Sequence, residues 1–155
     1  MNTLNIYNLV KRDIILYKYF RGVFSADDYI LCKDGFYIVN SDQSFLPGSH
    51  WVVYYVRHGV IEFFDSLGKN SKYYGLKKAR GLFNNIVLQG SMPVCGYYCI
   101  YYCLLRCRGI CMKDIVNSLK RHDSDIYVMH TVLKHLDLYK VYLRLCKYKR
   151  SLAHY

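Results

Sequence analysis

The sequence predicts one α+β domain spanning residues 1–155. Residues 51–56 (WVVYYV) and 60–64 (VIEFF) are β-branched and aromatic, and a short link containing His58 and Gly59 separates them, so they predict an antiparallel hairpin. Residues 95–108 predict a helix that is apolar nearly all round at its start and is closed by Gly109. A chain of 155 residues, 53% of them hydrophobic, suffices for one buried core but not two.

The other elements follow in chain order. Residues 3–20 have apolar side chains at helical spacing and predict one helix, with Asn2 or Thr3 as its cap. Gly22 and residues 25–28 predict a loop and a helix start, and residues 36–40 predict a short strand. The basic segment 69–81 predicts a loop with a short helix, and residues 83–88 another strand. Residues 112–121 and 126–136 predict two more helices, whereas the basic tail from residue 138 is ambiguous between strand and helix.

Composition excludes several classes of protein. The longest apolar run, residues 97–105, has nine residues, against the roughly 18 that a membrane-spanning helix needs. The N-terminus lacks a basic segment followed by an apolar core and a cleavage site, so we expect no secretory signal. Seven cysteines are an odd number, and five of them cluster near one predicted helix, which is a poor disulfide framework. We therefore expect an intracellular, reducing environment and no membrane association.

The net charge of +11 is unevenly distributed. Residues 1–66 contain six Lys or Arg and seven Asp or Glu, a net of −1, and residues 67–155 contain sixteen and four, a net of +12. The basic second half suits the binding of a polyanion such as DNA, although a surface that keeps the protein soluble explains the excess of positive charge equally well. The candidate phosphate contacts lie in the tail: Lys140, Arg144, Lys147, Lys149 and Arg150.

The stretch QGSMPVCGYYC contains the candidate nucleophile, Cys95. Cysteine recurs at every fourth position from Cys95 to Cys111, but only Cys95 lies where a loop passes into a helix, where backbone N–H groups and the helix dipole lower a thiol pKa. Gly96 removes side-chain bulk beside the sulfur, and Gln89, six residues upstream, offers an amide donor for an oxyanion. Each step of four residues advances a helix about 40° beyond a full turn, so the five cysteines would drift across roughly 160° and could not converge on one ion; we therefore expect packing for the later cysteines and no metal site.

A base and its orienting acid are predicted at the hairpin. His50 precedes the first strand and Asp65 follows the second, so antiparallel pairing brings the two side chains together. An acid in that position can fix the tautomer of the imidazole, as the acid of a catalytic triad does. Each residue alone is more often structural: a histidine at a strand edge, a buried cysteine, an aspartate in a turn. The combination of His50, Asp65, Gln89 and Cys95 is what indicates thiol chemistry.

These residues resemble the adenovirus-type cysteine endopeptidases (adenain), which belong to the clan of the ubiquitin-like-protein proteases. The resemblance covers most of the chain and runs in the clan's order of histidine, acid, glutamine and cysteine. Its motifs are Tyr19-Phe20 with Gly22, Ile38-Val39-Asn40, Gly48-Ser49-His50-Trp51, Phe64-Asp65-Ser66-Leu67-Gly68, Gln89-Gly90 and Cys95-Gly96-Tyr97-Tyr98-Cys99.

The resemblance implies a papain-like fold, with a small mixed or antiparallel sheet packed on the helix that bears the nucleophile. It implies that Cys95 is the nucleophile, His50 the general base, Asp65 its orienter and Gln89 an oxyanion donor. Trp51 and Gly96 would border a narrow groove for substrates with glycine at the scissile bond. The substrates implied are capsid and core precursors of a DNA virus or virus-like element, cleaved by a monomer in the virion and host nucleus.

The resemblance further implies DNA and a viral peptide as activators, with no cofactor needed for the chemistry. Adenain holds that peptide partly through a cysteine before the glutamine loop, and residues 66–94 here contain none. The acid is aspartate, where many adenains have glutamate, and the six-residue step from Gln89 to Cys95 matches the ubiquitin-like-protein proteases. Two other functions therefore stay open: a protease that removes SUMO-like modifiers, and a DNA-binding virion protein with a vestigial site.

Overall fold

The computed structural model describes residues 1–120 and 124–137. Helices α1 (Thr3–Val10) and α2 (Ile14–Tyr19) precede strands β1 (Phe20–Phe24), β2 (Gly35–Asn40), β3 (Trp51–Arg57) and β4 (Val60–Phe64). A 3₁₀ helix (Ser71–Tyr74) follows, then α3 (Cys95–Arg106), α4 (Met112–Leu119) and helical residues 124–137, called α5. The α+β class is confirmed. No helix among these residues is long and apolar enough to cross a bilayer.

The strands form one mixed sheet in the order β1-β2-β3-β4. β1 runs parallel to β2, and the other two pairs are antiparallel. The predicted hairpin is confirmed as β3 and β4, joined through His58 and Gly59, which both have the positive φ angles, 49° and 77°, that two-residue hairpin turns require. This hairpin sets the start of β3 beside the end of β4.

Both faces of the sheet are covered, which explains why β2 is buried along its whole length. One face packs against the helices in the main core, to which β3 contributes Val53 and Tyr55. The opposite face packs under Tyr29 and Leu76, and takes Val52 and Tyr54 from the same strand. The alternation along β3 therefore separates two apolar layers.

The prediction of one helix over residues 3–20 is wrong in two respects. The first helix ends at Val10. The Asp13 carboxylate accepts the N–H groups of Ile15 and Leu16, each at 2.9 Å, and so starts a second helix. Phe20 then begins β1, in a segment for which we predicted a loop and a helix start. The strand partner of β1 lies 16 residues further on, where local periodicity carries no information about it.

The strand predicted over residues 83–88 is also wrong. Only Phe83 makes a strand-like bridge, to Phe63. The rest of the segment is held by other contacts: Asn84 uses its side-chain amide to bind the main chain of Asp65, and the N–H of Leu88 donates to the carbonyl of Ser66 at 2.9 Å. The segment is thus tied to the turn after β4 without joining the sheet.

The three later helices lie close to their predicted positions. α3 ends at Arg106, three residues before Gly109, so Cys107 and Cys111 fall outside it. α4 ends at Leu119, and the short 3₁₀ helix lies in segment 69–81 as predicted. Because α3 packs on β3, its first residue comes to the edge of the sheet where β3 begins.

Candidate active site

The structure brings together three of the predicted site residues, which come from three elements. His50 immediately precedes β3, Asp65 immediately follows β4, and Cys95 is the first residue of α3. The imidazole of His50 hydrogen-bonds the Asp65 carboxylate and also interacts with the Cys95 thiol. All three are buried, with 7%, 0% and 9% of their surfaces exposed.

The pair of His50 and Asp65 is short and desolvated. Nε2 of His50 lies 2.6 Å from Oδ1 of Asp65, which leaves Nδ1 as the ring nitrogen for the thiol. Burial by itself lowers the pKa of His50, but the hydrogen bonds and negative charges of Asp65 and Cys95 outweigh it and raise that pKa to about 9. Burial also opposes the charge on Asp65, yet the hydrogen bond from His50 and the N–H of Leu67 hold its pKa below the usual value.

The Asp65 carboxylate is fixed by four donors. Oδ1 accepts from His50 and from the N–H of Leu67 at 3.0 Å, and Oδ2 accepts from the N–H of Lys69 at 2.8 Å and the hydroxyl of Tyr74 at 2.9 Å. Asn84 holds the main chain of the same residue, because its Oδ1 accepts the Asp65 N–H at 2.8 Å. The acid therefore has little freedom to turn away from the imidazole.

Tyr74 contacts the site in two ways. Its ring stacks on His50, with ring centroids 5.6 Å apart and planes 27° apart, while its hydroxyl donates to Asp65. Burial and the negative charge of Asp65 both raise the pKa of Tyr74, so the phenol stays protonated and remains a donor.

The environment of Cys95 favours a thiolate. Burial raises the pKa of a thiol, but the hydrogen bond and charge of His50, with the backbone N–H groups of Trp51 and Gly96, lower the pKa of Cys95 below its usual value. The helix N-cap, Val94, makes no side-chain capping bond, so the first N–H groups of α3 have no side chain competing for them. The lowered pKa of Cys95 and the raised pKa of His50 both favour a thiolate beside an imidazolium.

The next cysteines along α3 behave in the opposite way. Cys99 and Cys103 have 1% and 0% of their surfaces exposed, and burial raises the pKa of each well above the ordinary thiol value. Both remain neutral and pack in the main core. No cluster of three or more His, Cys, Asp or Glu side chains in residues 1–120 and 124–137 could hold a metal ion.

Gln89 lies on the loop that leads to Cys95, and its side-chain amide is held at both ends. Oε1 accepts the hydroxyl of Ser66 at 2.7 Å, and Nε2 donates to the carbonyl of Met92 at 2.7 Å. The loop itself is anchored by Asp125 of α5, whose carboxylate accepts the N–H groups of Gly90 at 2.8 Å and Met92 at 3.1 Å. Gln89 makes no direct bond with His50, Asp65 or Cys95 in the described structure.

The two predicted groove residues both contact the N-terminal methionine. The indole N–H of Trp51 donates to the carbonyl of Met1 at 2.9 Å, and the Met1 side chain covers Gly96 so closely that a Cβ there would lie 2.7 Å from its sulfur. Trp51 also contributes the backbone N–H that faces Cys95. The Met1 contact was not predicted.

Four contributors escaped the sequence analysis: Ser66, Tyr74, Asn84 and Asp125. Ser66 belongs to the Asp-Ser-Leu-Gly motif, and that position was the only signal for any of them. The other three lie 9, 19 and 60 residues from Asp65, with no spacing that links them to it. The five basic tail residues proposed as phosphate contacts, Lys140, Arg144, Lys147, Lys149 and Arg150, lie outside the described residues.

Comparison with solved structures shows a partial likeness to a protease. The chain is similar to the ASFV pS273R protease, seen in a crystal structure of its selenomethionine form, with a TM-score of 0.37 and 22% identity. The match covers 52% of this chain and 38% of that one, so this chain spans well under half the length of that protease. No protein-family model matches the sequence, and no curated protein matches it.

Proposed function

We propose that the chain is a cysteine endopeptidase with Cys95 as nucleophile, His50 as general acid and base, and Asp65 as the group that orients His50. The observation that carries the proposal is the buried imidazole of His50, which hydrogen-bonds a fully buried carboxylate and interacts with the thiol at the start of α3. The lowered pKa of Cys95 and the raised pKa of His50 favour the charged pair that thiol catalysis needs.

The first half of the reaction forms an acyl-enzyme. The Cys95 thiolate attacks the scissile carbonyl carbon, and negative charge develops on the carbonyl oxygen. The side-chain amide of Gln89 and the backbone N–H of Cys95 would stabilise that oxyanion. His50 then gives its proton to the amine leaving group as the C–N bond breaks.

The second half restores the enzyme. Neutral His50 takes a proton from water, and the resulting hydroxide attacks the thioester carbonyl. Collapse of that intermediate breaks the C–S bond and releases the carboxylate product. The thiolate and the imidazolium are regenerated together, and Asp65 stabilises the imidazolium in both halves through its 2.6 Å hydrogen bond.

The finer assignment rests on the sequence resemblance. It is a processing enzyme of a DNA virus or virus-like element that cleaves capsid and core precursors at glycine-containing motifs in the virion or host nucleus. The net charge of +12 on residues 67–155 supports assistance by DNA. Trp51 and Gly96 would border the groove, where the Met1 side chain lies against Gly96.

The test is incubation with glycine-containing peptides and with the structural proteins of the source, with and without DNA, followed by N-terminal mapping of the fragments. We expect cleavage that Cys95→Ala abolishes, whereas Cys99→Ala, the matched control one helical turn further on, leaves it intact. Equal loss from both substitutions contradicts the proposal. Cleavage of a fluorogenic modifier-tail substrate in preference to short peptides would favour a deconjugating protease.

A different result would identify the second alternative, a DNA-binding virion protein with a vestigial catalytic site. If Cys95 fails to react with a thiol-directed inhibitor at neutral pH while the chain binds DNA in a salt-dependent way, the protein is a DNA-binding protein without catalysis. The lowered pKa of Cys95 leads us to expect the opposite, a rapid reaction at Cys95.

A further inference from the structure

The hydroxyl of Ser66 links the candidate acid to the candidate oxyanion donor. Ser66 directly follows Asp65 and has 1% of its surface exposed. Its Oγ donates to Oε1 of Gln89 at 2.7 Å, and its carbonyl accepts the N–H groups of Leu88 and Gln89 at 2.9 and 3.0 Å. One residue thus holds both the main chain and the side chain of Gln89.

These bonds determine which way the Gln89 amide points. With Oε1 on the Ser66 hydroxyl, Nε2 faces the carbonyl of Met92 and donates one hydrogen to it at 2.7 Å. A flipped amide would set Oε1 against the Met92 carbonyl, two acceptors in contact, which is unfavourable. In the orientation found, the second N–H has no hydrogen-bond partner within the described residues.

The surrounding turn makes this link rigid. Gly68 has a φ of 68°, and a Cβ there would lie 2.6 Å from the carbonyl carbon of Ile86, so the turn after β4 packs directly on the segment leading to Gln89. Asn84 adds its bond to the Asp65 main chain. The residues that orient His50 and those that orient Gln89 therefore belong to one packed unit.

We propose that Ser66 is a positioning residue for catalysis, which acts by presenting the Gln89 amide to the oxyanion; this inference rests on the proposed function. The hydroxyl also polarises the amide, because a hydrogen bond to Oε1 strengthens Nε2–H as a donor. Ser66 touches neither the thiol nor the substrate. Its removal should therefore slow acyl transfer without changing the reactivity of Cys95.

The experiment is a double-mutant cycle on peptide cleavage, with alkylation of Cys95 by iodoacetamide as a second readout. We expect Ser66→Ala to lower kcat about tenfold with little change in KM, less than the ~10²–10³-fold loss typical of removing an oxyanion donor. Alkylation at Cys95, followed by mass spectrometry, should keep its wild-type rate, because it forms no oxyanion. Ser66→Ala combined with Gln89→Ala should cost no more than Gln89→Ala alone.

Two further variants control for folding. Ser71→Ala removes another buried serine hydroxyl, which accepts the N–H of Ala79 and makes no hydrogen bond to Gln89, and should leave kcat unchanged. Ser66→Thr keeps the hydroxyl and should retain most of the wild-type kcat. If Ser66→Ala does not fold, Ser66→Thr is the variant that tests the inference. A folded Ser66→Thr protein that is as slow as Gln89→Ala overturns the inference.

The outcomes separate the inference from the function on which it rests. A wild-type kcat for Ser66→Ala, multiplicative losses in the double variant, or slowed alkylation of Cys95 overturns the role of Ser66 alone. A wild-type protein that cleaves no peptide or precursor overturns the proposed function, and the role of Ser66 with it.

Discussion

Among residues 1–120 and 124–137, two buried aspartates each bind a histidine, and only one of these two pairs has the environment of a reactive site. Asp65 receives Nε2 of His50 at 2.6 Å, and Asp13 receives Nε2 of His135 at 2.8 Å. Both aspartates are fully buried. The His50 side chain has 9% of its surface exposed, however, whereas that of His135 has 37%.

The remaining partners account for the difference. Asp13 also binds the guanidinium of Arg108 and caps α2, so its charge is shared with a cation, and its contacts join the start of α2 to Arg108, after α3, and to His135 of α5. Asp65 has neutral donors besides His50, among them the hydroxyl of Tyr74. Its negative charge therefore acts mainly on His50, where it raises the pKa toward 9. The thiol of Cys95 completes the first pair, and the second has no thiol bonded to its histidine among the described residues.

The largest expected effect comes from replacing the two histidines in turn. We expect His50→Ala to lower kcat/KM about 10³-fold or more, because it removes the proton carrier and the cation that stabilises the thiolate. His135→Ala should leave kcat/KM within about twofold and lower the free energy of unfolding by about 1 kcal/mol, since it removes one hydrogen bond. Steady-state cleavage and urea unfolding measure the two; comparable loss of activity from both would remove the distinction between the pairs.

The second effect concerns the acid of the reactive pair. Asp65 and Cys95 together raise the pKa of His50 to about 9, so the imidazolium of His50 is present below pH 9 and is lost as the pH rises through that value. The thiolate of Cys95 is present above its lowered pKa, so activity should peak between the two. Asp65→Asn removes the charge that raises the His50 pKa, so we expect the alkaline limb of kcat/KM to move to lower pH and the maximum to fall roughly 10²-fold.

An alkaline limb that stays near pH 9 in Asp65→Asn would contradict the assignment of that limb to the pair of His50 and Asp65. The pH dependence of Cys95 alkylation provides an independent check, since it needs no substrate. His135→Ala is the control here, and its pH profile of kcat/KM should match that of the wild type.

The third effect falls on stability instead of activity. Asp13→Ala removes the α2 cap and leaves the Arg108 guanidinium without its partner, so we expect about 2 kcal/mol less free energy of unfolding. Asp13→Asn keeps a capping oxygen and should cost less. Chemical unfolding measures both; a loss of kcat in Asp13→Ala at temperatures where it remains folded would mean that this pair also serves catalysis.

The smallest effect tests the neutral partner of Asp65. Tyr74→Phe keeps the ring that stacks on His50 and removes only the hydroxyl that donates to Oδ2. Three other donors to Asp65 remain, so we expect kcat/KM to fall about threefold, in line with the net value of one hydrogen bond. Tyr73→Phe, on the exposed neighbouring ring, is the matched control and should leave kcat/KM unchanged.

Part of this site could be predicted from sequence because its parts are local. Periodicity and turn residues in short runs of sequence predict the hairpin and the start of α3. The order and spacing of the candidate site residues can also be read along the chain: His50, Asp65, Gln89 and Cys95. The same reasoning failed for residues 3–20, because a single carboxylate at Asp13 restarts the helix, and for β1, because its parallel partner is distant in sequence.

The sequence by itself determined which groups the chain can offer: a cysteine at a helix start, a histidine and an aspartate at paired strand ends, and a glutamine between them. The tertiary structure alone decided how those groups are held. The side-chain hydrogen bonds of Tyr74, Asn84, Ser66 and Asp125 at the site join residues 9 to 35 positions apart in the chain, and folding alone brings such residues together. It also decided which aspartate–histidine pair lies beside a thiol, because the other partners of each pair come from distant parts of the chain that only packing brings together.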